Sequence, residues 1–285
     1  MAAYGDYKLL HVELRASGVC IATISSDHPS GTNLMTLGLF SELDRFTQQV
    51  EKDDAVRVLV MRSASPDFWI PHFDVENIMA IKVDKPAKRF DQIRGIQALS
   101  QRVHSMGKPT IAEVVGRVGG GGCELASGFD MRFGVQGRTF VSNQEVGLGL
   151  LAAGSGTVRW PRIVGRGRAL EVLLGCVELD ASTAEQWGWL NRAFPSSESC
   201  RAYVEWLAER LAGLPREALS LTKRSVDYSL ARPHEVDDAF REEQFFFQQM
   251  LRTPETQGLM RRFMERGGQT MAVESKPDAL LASKL

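Results

Sequence analysis

The sequence predicts an α/β fold, in which an α/β core is followed by a helical C-terminal portion. Short apolar runs typical of buried β-strands alternate with segments of helical periodicity through roughly the first half of the 285 residues. From about Thr157 onward, helical periodicity dominates. A chain of this length is sufficient for one large domain with a substantial hydrophobic core.

Composition and charge exclude several classes of protein. The formal net charge is −1, so the chain as a whole has no electrostatic attraction for nucleic acid or an anionic membrane. Its four cysteines lie far apart and its five histidines are scattered, which disfavours a metal site and a disulfide framework. No window is apolar enough to span a membrane, and the N-terminus has no apolar leader segment. We therefore expect a cytoplasmic protein with no metal, nucleic-acid or membrane partner.

The first predicted elements are a hairpin, a helix and a strand. Residues 9–15 and 19–25 alternate in polarity on either side of a short Ala-Ser-Gly connection, which predicts a β-hairpin. Residues 34–53 carry apolar side chains at the helical period. Residues 56–61, with the sequence VRVLVM, form a continuous apolar run typical of a strand that is covered on both faces.

An aromatic-rich segment follows this strand. Residues 63–75 are predicted to form a loop, and they include Phe68, Trp69, Pro71, His72 and Phe73. Aromatic side chains in a loop either seal the core or line a pocket. Beyond this loop, residues 85–106 are predicted to form one long helix.

The most informative stretch is IAEVVGRVGGGGCELASGFD, at residues 111–130. Ile111–Val115 predicts a buried strand, Gly119–Gly122 a bend, and Cys123–Ser127 the start of a short helix. The free N–H groups of a first helical turn, the helix dipole and the missing side chains of glycine together favour a site for negative charge. The alternative is a tight turn packed against a neighbouring strand.

Short strands and then helices complete the chain. Residues 131–133 and 139–141 predict two strands. The predicted helices cover residues 167–174, 182–187, 198–212, 216–230, 233–250 and 254–266.

The last two predicted helices are rich in large apolar residues. These residues are Phe240, Phe245, Phe246, Phe247, Met250, Leu251, Leu259, Met260 and Phe263. One interpretation is packing on the chain's own core. We favour a subunit interface, because a monomer rarely exposes so large an apolar patch.

Two carboxylates are candidates for chemistry. Glu124 lies in the first turn of the helix after the glycines, where the helix dipole alone would favour a negative charge. Glu145 lies in a predicted loop, where it could simply be solvated. Combined with the glycine bend, they permit a mechanism in which one site stabilises an oxyanion while two carboxylates transfer protons.

Motifs over nearly the whole chain resemble those of one known superfamily. Gly120–Ala126 with Asp130 matches the signature G-G-G-x-E-L-A…D closely. Residues 27–33 resemble N-R-P-x-x-x-N, and residues 68–75 after VRVLVM resemble a strand followed by an S-A-G-A-D-[LI] loop. The remaining matches are residues 145–149 with 154–159, similar to E-x-x-x-G…G-x-G-x-x-x-R-L, and Leu221–Ser225, similar to a helix near the end. The sequence thus resembles the crotonase, or enoyl-CoA hydratase/isomerase, superfamily.

The resemblance implies an architecture. It implies a crotonase-like spiral of ββα units with C-terminal helices that build homotrimers, often paired into hexamers. We therefore expect an active-site core over residues 1–200, a helical oligomerisation region over residues 201–267 and a flexible tail over residues 268–285.

The resemblance also implies a reaction. By position, the backbone N–H groups of Phe73 and Gly121 would form an oxyanion hole that holds a thioester carbonyl as it becomes an enolate. The acid/base carboxylates would be Glu124 and Glu145. Because both are present, the resemblance favours hydration of a 2-enoyl-CoA to a 3-hydroxyacyl-CoA, or the reverse dehydration. Related isomerases use a single carboxylate at the Glu145 position.

An acyl-CoA substrate is implied, with coenzyme A entering as part of the substrate and no cofactor bound permanently. The candidate substrate-binding residues are Trp69, Ile70, His72, Asp74, Gly120 and Arg266. Trp69 is expected either to form a wall for a flat or bulky acyl group or to fill part of the site. His72 and Phe73 stand where the family usually has Gly-Ala. Arg266, where the family has lysine, would reach the CoA phosphate of a neighbouring subunit.

Two kinds of alternative remain open. Other enzymes of the family use the same enolate chemistry, namely isomerases, thioester hydrolases and hydratase-lyases that act on arylpropenoyl-CoA. A member without catalytic activity would be a scaffold or an RNA-binding protein. The near-neutral charge and the two carboxylates argue against this last reading.

Overall fold

Two β-sheets form the framework of the protein. The structure, a computed structural model, describes residues 4, 5, 7–25, 28, 30–230 and 233–275. Within these residues the strands are β1 Leu10–Leu14, β2 Val19–Ile24, β3 Val58–Ser63, β4 Phe68–Ile70, β5 Thr110–Val114, β6 Arg117–Gly119, β7 Met131–Val135, β8 Phe140–Ser142, β9 Leu179–Asp180 and β10 Arg192–Phe194.

The two sheets differ in the number and order of their strands. The larger has six strands in the order β1-β2-β3-β5-β7-β10, and the smaller has four in the order β4-β6-β8-β9. In the larger sheet β1 and β2 are antiparallel, with Leu10 opposite Ile24, so the predicted hairpin is confirmed. The pairs from β2 to β10 are parallel. In the smaller sheet β4, β6 and β8 are parallel, and β9 is antiparallel to β8.

Helices cover these sheets and extend beyond them. They are α1 Leu37–Lys52, α2 Val75–Met79, α3 Gly95–Ser105, α4 Gly120–Ala126, α5 Gly156–Val164, α6 Arg166–Gly175, α7 Ala181–Gln186, α8 Ser197–Ala212, α9 Arg216–Leu230, α10 Pro233–Leu251, α11 Pro254–Glu265 and α12 Met271–Glu274. A 3-10 turn spans Glu145–Leu148. In the part of the chain that the structure describes, none of the helices combines the length and hydropathy needed to cross a bilayer.

In helix α1 the apolar residues that recur at the helical period are the ones that pack into the core. The side chain of Thr36 accepts a hydrogen bond from Leu39 N at 3.1 Å and caps the first turn. Leu39, Leu43, Phe46 and Val50 follow at the helical period and are fully buried in the main core.

The larger sheet is covered on both faces, as its continuous apolar strands predict. One face packs into the main core, while Val19, Val58 and Ile111 on the other face pack against α8. Helix α8 supplies Cys200, Val204, Ala208 and Ala212 to this second cluster. The expected boundary between residues 200 and 201 therefore falls inside a helix that belongs to the core.

Two segments differ from the expected secondary structure. Residues 63–75 were expected to be a loop, but β4 lies within them, because Phe68, Trp69 and Ile70 are fully buried and pair with β6. The long helix expected over residues 85–106 begins only at Gly95. The side chains of residues 85–94 are mostly exposed, so this part has no apolar face that packing could hold in a helix.

The expected flexible tail also needs correction for residues 268–275. Gln269 is only 3 % exposed, and α12 follows it. Residues 276–285 of the expected tail lie outside the described residues. Of the nine large apolar residues in the C-terminal helices, five are buried within the chain itself: Phe240, Leu251, Leu259, Met260 and Phe263. For these five, packing on the chain's own core applies, which is the interpretation that we did not favour.

The glycine run brings α4 onto β4. The helix begins at Gly120, inside the run, and a short strand, β6, precedes it. Gly120 has φ +44°, which a glycine adopts readily. A Cβ atom at Gly122 would lie 2.1 Å from the carbonyl oxygen of Ile70, so a side chain does not fit between helix and strand.

Substitution of this glycine is expected to destabilise the fold. Gly122→Ala forces the backbones of α4 and β4 apart and should lower the free energy of unfolding by about 1–3 kcal/mol or more. Gly167→Ala in α6 is the matched control, because a Cβ there meets no atom within 4 Å. It should stabilise by about 0.5–1 kcal/mol. Urea denaturation measures both, and equal stability of the two variants would contradict the close approach seen here.

Candidate active site

One cavity collects the residues that the sequence singled out for chemistry. It has a volume of about 330 Å³, and its wall includes Phe73, Gly121, Glu124 and Glu145. This volume lies at the lower end of the range for small-molecule sites. The rest of the wall is largely apolar and includes Ile78, Ile96, Leu148, Leu150, Leu151 and Phe247.

Two backbone amides meet at this wall. Met35 N donates to His72 O at 3.0 Å and Asp74 N donates to Met35 O at 3.1 Å, a parallel bridge that turns the N–H of Phe73 away from Met35. Gly121 is the second residue of α4, so its N–H has no partner four residues back in the helix. No hydrogen bond joins either amide to another described residue. A Cβ atom at Gly121 would lie 3.6 Å from Phe73 N, so the two backbones are direct neighbours.

Glu124 is held by the backbone at the start of α5. It is 3 % exposed, and its Oε1 accepts hydrogen bonds from Gly154 N at 2.7 Å and Gly156 N at 2.9 Å. A Cβ at Gly154 would lie 2.4 Å from Glu124 Oε2, so glycine is needed for this close approach. Two donors on one oxygen leave the second oxygen for other partners.

Glu145 opens the 3-10 turn and is oriented by Asn143. Asn143 Nδ2 lies 3.2 Å from each carboxylate oxygen of Glu145. The indole Nε1 of Trp160 donates to Asn143 Oδ1 at 2.6 Å, which fixes the amide with its nitrogen toward Glu145. A Cβ at Gly120 would lie 3.2 Å from Glu145 Oε1, which places this carboxylate beside the first turn of α4.

Burial raises the pKa of both carboxyl groups. Burial, and then the negative charges of Glu145 and Glu243, raise the pKa of Glu124 well above its usual value, against the N–H groups of Gly156 and Gly154. Burial also raises the pKa of Glu145, against hydrogen bonds and the positive charge of His72. A raised pKa favours the protonated form of a carboxyl group, and a carboxyl group that holds a proton can act as an acid.

A third buried carboxylate comes from the C-terminal helices. Glu243 on α10 is 3 % exposed, and burial raises its pKa to about 7. Its oxygens accept hydrogen bonds from Thr157 N at 3.0 Å and from Gln97 Nε2 at 3.0 Å. Through these contacts α10 holds the start of α5, the segment that supplies the donors to Glu124. No motif surrounds Glu243, so its position was not predicted.

The other predicted site residues divide into two groups. His72 and Gly120 lie on the cavity wall. Trp69 and Ile70 do not: both are fully buried in the main core, where Trp69 meets Phe129 edge to face at 6.2 Å. Trp69 therefore seals the core and forms no wall for an acyl group, because it belongs to the buried strand β4.

Asp74 and Arg266 also lie away from the cavity wall. Asp74 caps α2 by accepting from Glu76 N at 2.9 Å, so it orders the loop behind Phe73. Arg266 is exposed at the end of α11. A contact of Arg266 with a neighbouring subunit stays a prediction.

Several contributors to the site were missed in the sequence. Gly154 and Gly156 were noted only as a glycine pattern, although a Gly-x-Gly step before a helix signals free N–H groups. Asn143, two residues before Glu145, could have been proposed as its partner from its chemistry alone.

Known proteins share sequence and fold with this chain. The profile of the family described as Enoyl-CoA hydratase/isomerase matches residues 16–271. A short-chain-enoyl-CoA hydratase of Clostridium acetobutylicum is 25% identical over 246 residues, which cover 86% of this chain and 92% of that protein. A crotonyl-CoA hydratase of Syntrophomonas wolfei is 26% identical over 249 residues, with coverage of 86% and 92%.

Solved structures share the fold. A crystal structure of a protein from Streptomyces avermitilis assigned as an enoyl-CoA hydratase superposes with a TM-score of 0.84 at 27% identity, over 97% of this chain and 98% of that chain. The mixed α/β architecture is thus the crotonase fold, as the sequence predicted. Because the family profile spans most of the chain, the protein belongs to the enoyl-CoA hydratase/isomerase family of the crotonase superfamily and is an enzyme of the crotonase type.

Proposed function

We propose that the protein hydrates a 2-enoyl-CoA thioester to a 3-hydroxyacyl-CoA, or catalyses the reverse dehydration. The observation that carries this proposal is the placement of two carboxylates, the buried Glu124 and the half-buried Glu145, on the wall of one cavity that Phe73 and Gly121 also line. Addition of water needs a base for the water and an acid for the α-carbon, and one carboxylate alone would suffice for a simple proton shift.

The proposed reaction uses the pair as one acid and one base. The ionised carboxylate takes a proton from water while the water oxygen bonds to the β-carbon. The electrons of the double bond move toward the thioester oxygen, which becomes an enolate oxygen held by the N–H groups of Phe73 and Gly121. The protonated carboxyl group then delivers its proton to the α-carbon, and transfer of the water-derived proton from the first carboxyl group to the second restores the starting state.

The cavity wall supports an acyl-CoA substrate with a hydrocarbon acyl group. Ile78, Ile96 and Leu150 offer apolar contacts, and hydrocarbon chains are favoured by such surfaces. Arg94 is exposed on the same wall and is a candidate cation for the phosphates of coenzyme A. In this proposal coenzyme A enters with the substrate, and no permanently bound cofactor is required.

A homotrimer or hexamer is part of the proposal. Leu221 and Val226 on α9 and Phe246 on α10 remain 51 %, 54 % and 49 % exposed. Exposed apolar side chains on helices outside the sheets suit a contact between subunits.

A panel of 2-enoyl-CoA thioesters tests the proposed function. The substrates should differ in chain length and in aromaticity, and the loss of absorbance of the conjugated thioester reports hydration. We expect hydration of aliphatic substrates, with 3-hydroxyacyl-CoA identified by chromatography. Conversion of 3-enoyl-CoA to 2-enoyl-CoA without hydration would instead assign an isomerase, and release of free coenzyme A a hydrolase.

A further inference from the structure

A histidine of the cavity wall is tied to the C-terminal segment. His72 Nε2 lies 2.9 Å from Glu274 Oε2, and Glu274 Oε1 accepts a hydrogen bond from Gln269 N at 2.9 Å. The side-chain oxygen of Gln269 in turn accepts from Val75 N at 2.5 Å. His72 Nδ1 lies 2.8 Å from the carbonyl oxygen of Phe73. These contacts form a circuit that starts at Phe73, passes through residues 269–274 and returns to Val75.

The chemistry of the two ring contacts assigns a charge to His72. A carbonyl oxygen only accepts, so Nδ1 must carry a proton toward Phe73. A neutral ring would then turn the Nε2 lone pair toward a carboxylate oxygen at 2.9 Å, which is repulsive. Beside an ionised Glu274 both nitrogens are therefore protonated, and His72 is an imidazolium. Nε2 and Glu274 Oε2 are close enough for an ion pair, although they are not aligned as a hydrogen bond.

The charges around this ring agree with that assignment. Burial alone lowers the pKa of His72, but the negative charge of Glu274, the Phe73 carbonyl and Glu145 outweigh burial and raise it above the usual value. Burial alone raises the pKa of Glu274, but His72, Gln269 N and the nearby cation of Arg117 lower it overall. Both groups are thus charged at pH values between the lowered pKa of Glu274 and the raised pKa of His72. The ion pair is lost when the pH rises through the pKa of His72, because the ring then loses its proton.

The conformation of Gln269 indicates that this turn is held under constraint. Gln269 has φ +65°, a left-handed conformation that a residue with a side chain rarely adopts. Such conformations persist where surrounding contacts fix them, often beside functional sites. Here the fixing contacts are the buried hydrogen bond to Val75 N and the one to Glu274.

We propose that the C-terminal turn at residues 269–274 positions the amide of Phe73, with Glu274 holding the His72 imidazolium against the Phe73 carbonyl and Gln269 anchoring Val75. The bridge to Met35 fixes this loop on one side, and the circuit fixes it on the other. Glu274, Gln269 and His72 are positioning residues, since both ring nitrogens of His72 face protein atoms. The effect on catalysis rests on the proposed function, whereas the ion pair itself does not.

Titration of His72 in the free enzyme tests the pair without any substrate. The ring resonances of His72 are followed by NMR against pH and assigned by their loss in His72→Gln. We expect a midpoint above the ordinary value of about 6.5. Glu274→Gln should move this midpoint to lower pH, and Glu274→Asp should restore most of the shift. An unchanged midpoint in Glu274→Gln would overturn the proposal.

Kinetics test the consequence for the loop. Glu274→Gln and Gln269→Ala are expected to lower kcat about 10- to 100-fold through misplacement of the amide, with little change in KM. The alkaline fall of activity should begin at lower pH in Glu274→Gln than in the wild type. Glu51→Gln, an exposed carboxylate on α1, is the matched control and should leave kcat unchanged.

The failures of the two proposals are distinguishable. Full kcat in folded Glu274→Gln and Gln269→Ala, while a Glu124 variant is inactive, overturns the positioning role and leaves the proposed function intact. Absence of hydration in the wild type overturns the proposed function, and the His72 titration still decides the ion pair. Thermal melts confirm that each variant is folded, and rescue by Glu274→Asp separates loss of the carboxylate from general damage.

Discussion

Glu124→Gln is expected to reduce the rate of 2-enoyl-CoA hydration by about 10²–10⁴-fold, the usual contribution of a positioned acid or base. Glutamine keeps the size of the side chain and an oxygen for the N–H groups of Gly154 and Gly156, so the start of α5 should stay in place. It cannot exchange a proton. The loss should therefore appear in kcat, measured with the absorbance of the conjugated thioester, while KM changes little.

Glu113→Gln is the control for this substitution. Glu113 is also a fully buried glutamate, but it lies on β5 beside Arg201 and away from the cavity. Its loss should affect stability and leave kcat near the wild-type value. If Glu124→Gln kept most of its activity while Glu145→Gln lost it, the hydratase proposal would be wrong and a single-carboxylate isomerase would be favoured.

Gly121→Pro is expected to lower kcat by about 10²–10³-fold, the cost of losing one oxyanion donor. Proline removes the N–H that we propose holds the enolate oxygen, and it is tolerated in the first turn of a helix, where that N–H has no helical partner. Because the donor is a backbone group, an ordinary side-chain substitution cannot delete it.

Gly121→Ala separates the missing N–H from the added bulk. A Cβ at this position would lie 2.9 Å from the end of the Ile96 side chain and 3.3 Å from Phe73 Cβ. Ile96 can shift, so the alanine variant should fold and keep activity within about tenfold of the wild type. Equal loss of activity in the two variants would show that space, and not the donor, matters at Gly121. Circular dichroism verifies that both are folded.

Much of the fold followed from local patterns. The alternation of polarity in β1 and β2 and the apolar period of α1 reflect which faces are buried, and each can be recognised within a short window. Predictions were less accurate where local pattern and packing disagree. Residues 85–94 have helical composition, but their side chains are mostly exposed and bury no apolar helix face, and β4 has aromatic residues that pairing with β6 buries.

From local pattern alone, the candidate site was predictable only where its residues are close together in sequence, whereas Phe73 and Glu145 were proposed through the family resemblance. Gly120, Gly121 and Glu124 occupy one turn, and their relation is dictated by helix geometry. Trp69 was misplaced, because an aromatic residue near a functional loop carries no information about which way the strand turns it. The direction of a strand side chain is set by the register with its neighbour.

The sequence by itself determined the family, the strand-glycine-helix unit and the identities of the two acid/base candidates, since each of these depends on a short motif of neighbouring residues. The tertiary structure decided which groups share the cavity: Gly154 and Gly156 on Glu124, Glu243 behind α5, and the circuit from His72 through Glu274. Contacts such as Val75 to Gln269 join residues 194 positions apart. Local periodicity in the sequence cannot predict contacts over such separations. Val75 and Gln269 come within hydrogen-bonding distance only because α10–α12 pack against the loop after β4.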